Sequence, residues 1–376
     1  MIRILHTADL HLDASFPGLG SRAARRQVDF LETFERILTA AIKNEVHLLL
    51  IAGDLFDHPR PGAVALGKVQ AGLKRLADRG IVTVLLPGTH DNLVGSSSVY
   101  RQAGFPGAIL LDQPVQEAPV EVSLAGRQVY LYGFAYRNFA SENALAGMRR
   151  RSEEGIHIGL LHGSKEGSPE WAHRKKDLPF SLQTLKSWDL DYVALGHYHG
   201  FEILQDDGRT YGCYPGSPEG KRFGENGPRY CALVTVAPQS AKIGQLTVNQ
   251  RFLEEKDLDL TGCGEMAEAV RLIGALGNSN LLLRLTLTGT VEVPLDLSAL
   301  EARCEGDFFH LELRDHTRLF DSDFVRRIEK EETVRGVFVR RARELMDRAE
   351  GEQREILEEA FREVLARFRA FGEEVS

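Results

Sequence analysis

Five short apolar runs, at residues 2–5, 48–52, 81–86, 156–161 and 192–195, each end within a few positions of a group able to bind metal or carry a proton. After the first comes Asp9-Leu10-His11, after the second Gly53-Asp54-Leu55-Phe56-Asp57, and after the third Gly88-Thr89-His90-Asp91. The fourth is followed by His162-Gly163 and the fifth by Gly196-His197-Tyr198-His199. Runs this short and this apolar read as buried strands. Between the first two, Phe30, Phe34, Ile37, Leu38 and Ala41 repeat at helical spacing, and residues 63–79 are also helix-like. Strand and helix in alternation predict a layered α/β core, with mixed sheets flanked by helices. In α/β sheets ligands gather at the carboxyl ends of strands, where these polar groups lie.

In an extended segment residues two apart point the same way, so Asp9 with His11, and His197 with His199, can each aim two donors at one place. Gly53 and Gly196 free the backbone to turn there. Mixed carboxylate and imidazole donors suit divalent manganese, iron or zinc and lack the thiolates of a structural zinc site. A carboxylate such as Asp54 can bridge two ions about 3.5 to 4 Å apart, and bound water then becomes the nucleophile. Any one of these motifs is common by chance; their order at five strand ends is not. His6, His47, His157, His173, His310 and His316 have no motif around them and read as packing or surface residues, and His58 is undecided.

At 376 residues the chain has room for two to three domains. The less helical stretch at 108–134 and strand-like pieces at 201–204, 211–214 and 230–236 add mixed or antiparallel strands to the core. A polar, Pro-containing run at 237–244 precedes a change of pattern. The expected division is a core domain at 1–250, a small α+β domain at 251–320 and a helical C-terminal region at 321–376. In that last region Ile356, Leu357, Ala360, Phe361, Val364, Leu365 and Phe368 form an apolar stripe that packs on its own domain or takes a partner helix. Cys213, Cys231, Cys263 and Cys304 form no CxxC and read as reduced and buried. The first residues carry no signal peptide and no run is long enough to span a bilayer, so the expected location is cytoplasmic, with no membrane partner. The net charge of -8 excludes nucleic-acid binding through a wholly basic surface, so any polyanion is met locally.

Taken together, the D-x-H, G-D-x-x-D, strand-end His and G-H-x-H motifs resemble the calcineurin-like metallophosphoesterase superfamily over residues 1–240. His6-Thr7-Ala8-Asp9-Leu10-His11-Leu12-Asp13 and Tyr214-Pro215-Gly216-Ser217-Pro218 resemble its bacterial SbcD/YhaO branch of DNA-repair exonucleases. The resemblance implies that Asp9, His11, Asp54 and His199 hold one metal, and that Asp54, residue 89, His162 and His197 hold the other. It implies that His90 protonates the leaving oxygen, that Asp91 orients His90, and that Asp57 supports the ligands. It implies manganese. The chain departs from the family at Thr89, where an asparagine amide is usual. Thr89, water, or Asn92 reaching back fills that position, and the second site is expected to bind more weakly.

The expected activity is a metal-dependent DNA nuclease, an exonuclease acting in repair. Local basic clusters at Arg22, Arg25 and Arg26, at 149–151, at 174–176 and at Lys221 with Arg222 are candidates for phosphate contact, each equally readable as a solvated face. No residue is assigned to substrate. The chain lacks a GxxxxGK[ST] loop, so ATP hydrolysis by that route would come from another protein. The resemblance implies a coiled-coil ATPase subunit of the SbcC/YhaN type, and a homodimer. One rival is a phosphatase or cyclic-nucleotide phosphodiesterase, because the same metal motifs serve small phosphoesters. The other is a DNA-end or partner-binding scaffold whose metal centre is weakened at Thr89.

Overall fold

The computed structural model describes all residues except 116–117, 136–141, 174–176, 320–321 and 374–376. The described chain forms two compact units, Met1–Phe252 and Leu253–Ser376. Strands of the first unit are β1 (Ile2–Thr7), β2 (Leu48–Ala52), β3 (Val82–Leu86), β4 (Ala108–Leu110), β5 (Val120–Leu124) and β6 (Arg127–Tyr132). They continue as β7 (Ile156–His162), β8 (Tyr192–Gly196), β9 (Glu202–Asp206), β10 (Arg209–Tyr214), β11 (Tyr230–Ala237) and β12 (Ser240–Thr247). Its helices are α1 (Ala23–Lys43), α2 (Ala63–Ala77), α3 (Val99–Gln102), α4 (Glu142–Ala146) and α5 (Leu182–Trp188).

The five apolar runs do not share a sheet. One sheet runs β12-β11-β1-β2-β3-β4 and the other β5-β6-β7-β8-β10-β9. Both are mixed: β1 to β4 are parallel and β11 returns antiparallel on β1, while β6, β7, β8 and β10 are parallel with antiparallel edges. A parallel strand buried on both faces carries an unbroken apolar run, which is why these five stand out in the sequence. Ile2, Ile4, Leu48, Leu50 and Val84 of the first sheet meet Val129, Leu131, Ile158 and Leu160 of the second in one core. Leu5, Leu49, Ile51 and Leu85, on the opposite face of the first sheet, pack under Phe30, Phe34 and Ile37 of α1 and Val69 and Leu73 of α2. Leu161, Val193 and Leu195 of the second sheet pack with Leu185 and Trp188 of α5. The layers are therefore helix, sheet, sheet, helix.

Register brings the strand ends level. Thr7 lies opposite Ile51 and Ala52 opposite Leu86 in one sheet, and His162 lies opposite Gly196 in the other. The polar run at 237–244 is a tight hairpin: Ala237 pairs with Ser240, Gln239 takes the left-handed turn position at φ 58, and β12 becomes an edge strand.

The second unit holds β13 (Phe252–Asp259), α6 (Met266–Gly274), β14 (Asn278–Thr288), β15 (Thr290–Val291), α7 (Leu297–Cys304), β16 (Phe308–Asp315) and β17 (Arg318–Leu319). β13, β14 and β16 form one sheet. Helices α8 (Ser322–Glu329), α9 (Val334–Met346) and α10 (Glu352–Glu373) follow, joined by Val325, Ile328, Val339, Phe361 and Leu365. Part of the 356–368 stripe is thus buried inside this unit, whereas Ile356 is exposed. All four cysteines are free and buried. No helix among the described residues is long and apolar enough to cross a membrane.

Candidate metal centre

Past β1 and β2 the chain leaves the extended conformation without separating. Asp9 N donates to Gly53 O at 3.1 Å, His11 N to Asp54 O at 3.0 Å and Leu12 N to Leu55 O at 3.0 Å. Asp9, His11 and Asp54 take φ of 52°, 47° and 50°, and His197 takes 100°. Each costs on the order of 1–3 kcal/mol, held in place by the zipped loops around it. Asp9 and His11 therefore share a direction through paired left-handed turns, not through the two-residue period of a strand, which stops at Thr7. Gly53 does turn, at φ 94°. Gly196 serves a close approach instead: a Cβ there would lie 1.9 Å from Ala52 O.

The imidazoles are locked in one tautomer by their outer nitrogens. His162 Nδ1 donates to Ala52 O at 3.0 Å and His199 Nδ1 to Glu225 Oε1 at 2.7 Å, since neither oxygen can donate. His11 Nδ1 faces Asp57 Oδ1 at 3.0 Å. Each ring then presents its Nε2 lone pair inward. These lone pairs meet: His11 Nε2 lies 3.3 Å from His199 Nε2 and 3.9 Å from Asp54 Oδ2, and His162 Nε2 lies 3.4 Å from the same oxygen. Donor atoms of Asp9, His11 and His199 lie within 4.8 Å of one another, as do those of Asp9, Asp54 and His162. Asp9 joins both groups, and its carboxylate is braced by His197 N at 3.1 and 3.0 Å. The His197 ring stands edge-on to that of His162, centroids 5.3 Å apart.

A buried set of acceptors facing one another calls for positive charge between them. Burial would raise the Asp54 carboxyl, but the charges of His162 and His11 hold it well below the usual range. Burial would lower His162, but Asp54 beside it pushes it up to about 10. Two carboxylates, three inward imidazoles and no thiolate fit two borderline divalent cations as well as protons.

The third loop brings Thr89, His90 and Asp91 to this cluster with three different outcomes. Thr89 Oγ1 lies 3.4 Å from Asp54 Oδ2 and 3.5 Å from His162 Nε2, beside the second group. Asn92 does not reach back: its Nδ2 donates to Thr89 O at 2.8 Å and its Oδ1 accepts from Val94 N at 3.1 Å, so it braces the loop. His90 stands half-exposed, with its N donating to Asp54 Oδ1 at 2.8 Å. The expectation that Asp91 orients His90 is corrected: Asp91 is buried and accepts from Gly88 N, Phe56 N and Tyr100 OH at 2.8, 3.1 and 2.7 Å. Burial and the nearby Asp54 charge push it up to about 6 against the pull of these three donors. The carboxylate beside the His90 ring is that of Asp57, 3.7 Å from Nδ1. Burial would raise Asp57, but His11 and Lys221 hold it down at about 2.

Several residues of the site carried no sequence signal. Glu225, which fixes His199, is held well below the usual range because the His199 and Arg229 charges outweigh its burial. Lys221, flagged only as part of a basic cluster, reaches Asp57. His173 and Asp177, with Arg222, line the cleft of about 400 Å³ that opens on Asp54, Thr89, His90, His197 and His199. Of the other basic clusters, Arg26 is buried against Glu219 at 2.7 Å, Arg25 pairs with Asp29 and Glu32, and Arg150 pairs with Asp191 at 2.7 Å. These three serve structure. The cluster at 174–176 lies outside the described residues.

The family description for calcineurin-like phosphoesterases matches residues 2–201, which carry all five loops of the site. The chain belongs to this family. Within it, the chain is 27% identical over 278 residues to the Bacillus subtilis metallophosphoesterase YhaO, covering 72% of this chain and 66% of that one. It is 28% identical over 273 residues to the DNA double-strand break repair protein Mre11 of Haloferax volcanii, covering 72% and 57%. It is 29% identical over 283 residues to the SbcD component of the SbcCD nuclease of Bacillus subtilis, covering 67% and 69%. The first two matches span just under two thirds and little more than half of those relatives. These relatives agree with the SbcD/YhaO-like branch of the metallophosphoesterases that residues 6–13 and 214–218 resemble.

Proposed function

We propose that the centre holds two divalent metal ions, manganese first among them, and hydrolyses DNA phosphodiester bonds as an exonuclease. The observation that carries the reading is the inward turn of the His11, His162 and His199 lone pairs around Asp54, each ring fixed from behind by an acceptor. In this assignment Asp9, His11, Asp54 and His199 hold one ion, and Asp54, Thr89, His162 and His197 hold the other. When bound, such a pair lowers the pKa of an attacking water and neutralises charge on the phosphoryl oxygens.

The chain's own residues then do the rest. His90 has its Nδ1 donating to the Asp57 main-chain oxygen, which leaves Nε2 for the leaving oxygen; the ring acts as the acid in its imidazolium form, giving up the Nε2 proton and keeping the one on Nδ1. Asp57 spans His11, His90 and Lys221, so it positions a ligand and the acid together. Asp91 acts one layer further back, holding the loop at Gly88 and Phe56.

DNA as substrate draws on the names of the relatives, a break-repair protein and a component of a nuclease. The same relationship supports a coiled-coil ATPase partner of the SbcC/YhaN type, a homodimer and a cytoplasmic location; the proposed division is 1–250 as the nuclease domain, 251–320 as a small α+β domain and 321–376, through its apolar stripe, as partner-binding. The deciding experiment compares manganese-dependent cleavage of linear duplex DNA, single-stranded DNA and cyclic nucleotides. Shortening of linear DNA is the expected result. Hydrolysis confined to cyclic nucleotides or small phosphomonoesters overturns the nuclease reading in favour of a phosphatase.

A further inference from the structure

A second hollow, of about 720 Å³, adjoins the metal cleft and shares His173, His199 and Arg222 with it. Its walls include Phe201 and Phe223, both partly exposed. Phe201 stands edge-on to Tyr230, centroids 5.8 Å apart, and Phe223 sits on the loop that carries Arg222 and Glu225. The acids along the hollow are already engaged. Glu225 takes His199 Nδ1 and the Lys221 N–H, Glu170 takes the Gly200 N–H, and Glu202 faces Lys165 Nζ at 3.6 Å. Arg222, its side chain 61% exposed and its Nε 3.4 Å from Glu225 Oε1, stands where the two cavities join.

We propose that this hollow seats one unpaired nucleobase next to the scissile phosphate, stacked on Phe223 with Arg222 at the phosphate between them. The inference rests on the nuclease reading and narrows its substrate to ends or strands whose terminal base is free. A phosphate over the metal centre places its neighbouring nucleoside at the shared wall, and the volume is in the range of pockets that bury small ligands, about 300–1,000 Å³. A base held in a duplex stack cannot enter; an unpaired one can, and every base offers a face to an aromatic ring.

The test uses the full chain carrying His90→Asn to suppress cleavage, with manganese and fluorescently labelled single-stranded oligonucleotides. One set is intact and the other has abasic terminal nucleotides. Adding Phe223→Ala is expected to weaken binding of the intact strand by about 5- to 100-fold, the worth of one base–aromatic stack. Binding of the abasic strand should change far less, and Phe223→Tyr should restore the difference. Equal weakening of both strands, or of neither, overturns the base subsite. The parent reading fails separately: a chain with native His90 that hydrolyses a small phosphodiester and leaves every oligonucleotide intact is not a nuclease.

Discussion

His90 Nδ1 lies 3.0 Å from the main-chain oxygen of Asp57 and 3.7 Å from its carboxylate, the same carboxylate that faces His11 Nδ1 at 3.0 Å. One side chain thus sits behind both a candidate ligand and the candidate acid. Replacing Asp57 by Ala should lower manganese affinity by about 10- to 100-fold, the usual effect of removing a partner of a ligating histidine. It should also lower kcat on a small phosphodiester at saturating metal. Calorimetric titration with manganese checks the first effect, and steady-state kinetics the second. Unchanged metal affinity would show that the contact is incidental.

Removing the proton donor itself has a different signature. His90→Asn should cost about 10²- to 10⁴-fold in kcat with metal binding intact, and least with a leaving group that needs no protonation. Equal losses for aryl and alkyl leaving groups would contradict the assignment.

Thr89 presents a hydroxyl 3.4 Å from Asp54 and 3.5 Å from His162, where a neutral amide oxygen would be the stronger ligand. In the unaltered protein a manganese titration should resolve one tighter and one weaker site. Thr89→Asn should tighten the weaker one and bring the two affinities together. Two equal, tight sites before the substitution would remove the reason for it.

His6 is wholly buried against Tyr192 OH at 2.8 Å, and burial lowers its pKa from 6.5 to about 3. Folded His6 stays neutral down to about 3, while the unfolded imidazole protonates near 6.5. Between these values the unfolded chain binds the extra proton, so stability falls as pH falls, by about 1.4 kcal/mol per pH unit. Above 6.5 the contribution is constant. Urea unfolding at a series of pH values, in the presence of chelator, should show a shallower acid slope for His6→Asn than for the parent. Parallel slopes would mean that another group carries the acid response.

Arg26 is buried with Glu219 at 2.7 Å, and Thr33 Oγ1 and Gln250 N also donate to Glu219, at 2.7 and 2.6 Å. The cluster ties α1 to the segment that delivers Lys221, Arg222 and Glu225. Glu219→Ala leaves Arg26 buried without its main partner, and breaking such a pair costs about 3–5 kcal/mol. A denaturant midpoint within error of the parent would contradict this.

Much of the fold was legible because parallel strands covered on both faces leave long apolar runs, and because Asp or His follows each of them. The division of those strands between two sheets was not, since β3 and β7 carry the same signal whichever neighbour they pair with. Asp57 reads as supporting the ligands, and it does face His11, but its place beside His90 was assigned to Asp91 for a related reason: both follow a strand, and only the path of the loop decides which meets His90. Glu225 and His173 were invisible because a single residue on an irregular loop has no period. Arg26 reads as a solvated face or a phosphate contact, and not as a buried ion pair, because charge in sequence does not reveal burial.

In the proposed centre two cations sit on either side of Asp54. Anomalous diffraction from manganese-soaked crystals tests it most directly. Two peaks about 3.5 to 4 Å apart are predicted, one near His11 and His199 and the other near His162 and Thr89. A single peak, or peaks that do not flank the Asp54 carboxylate, would contradict it.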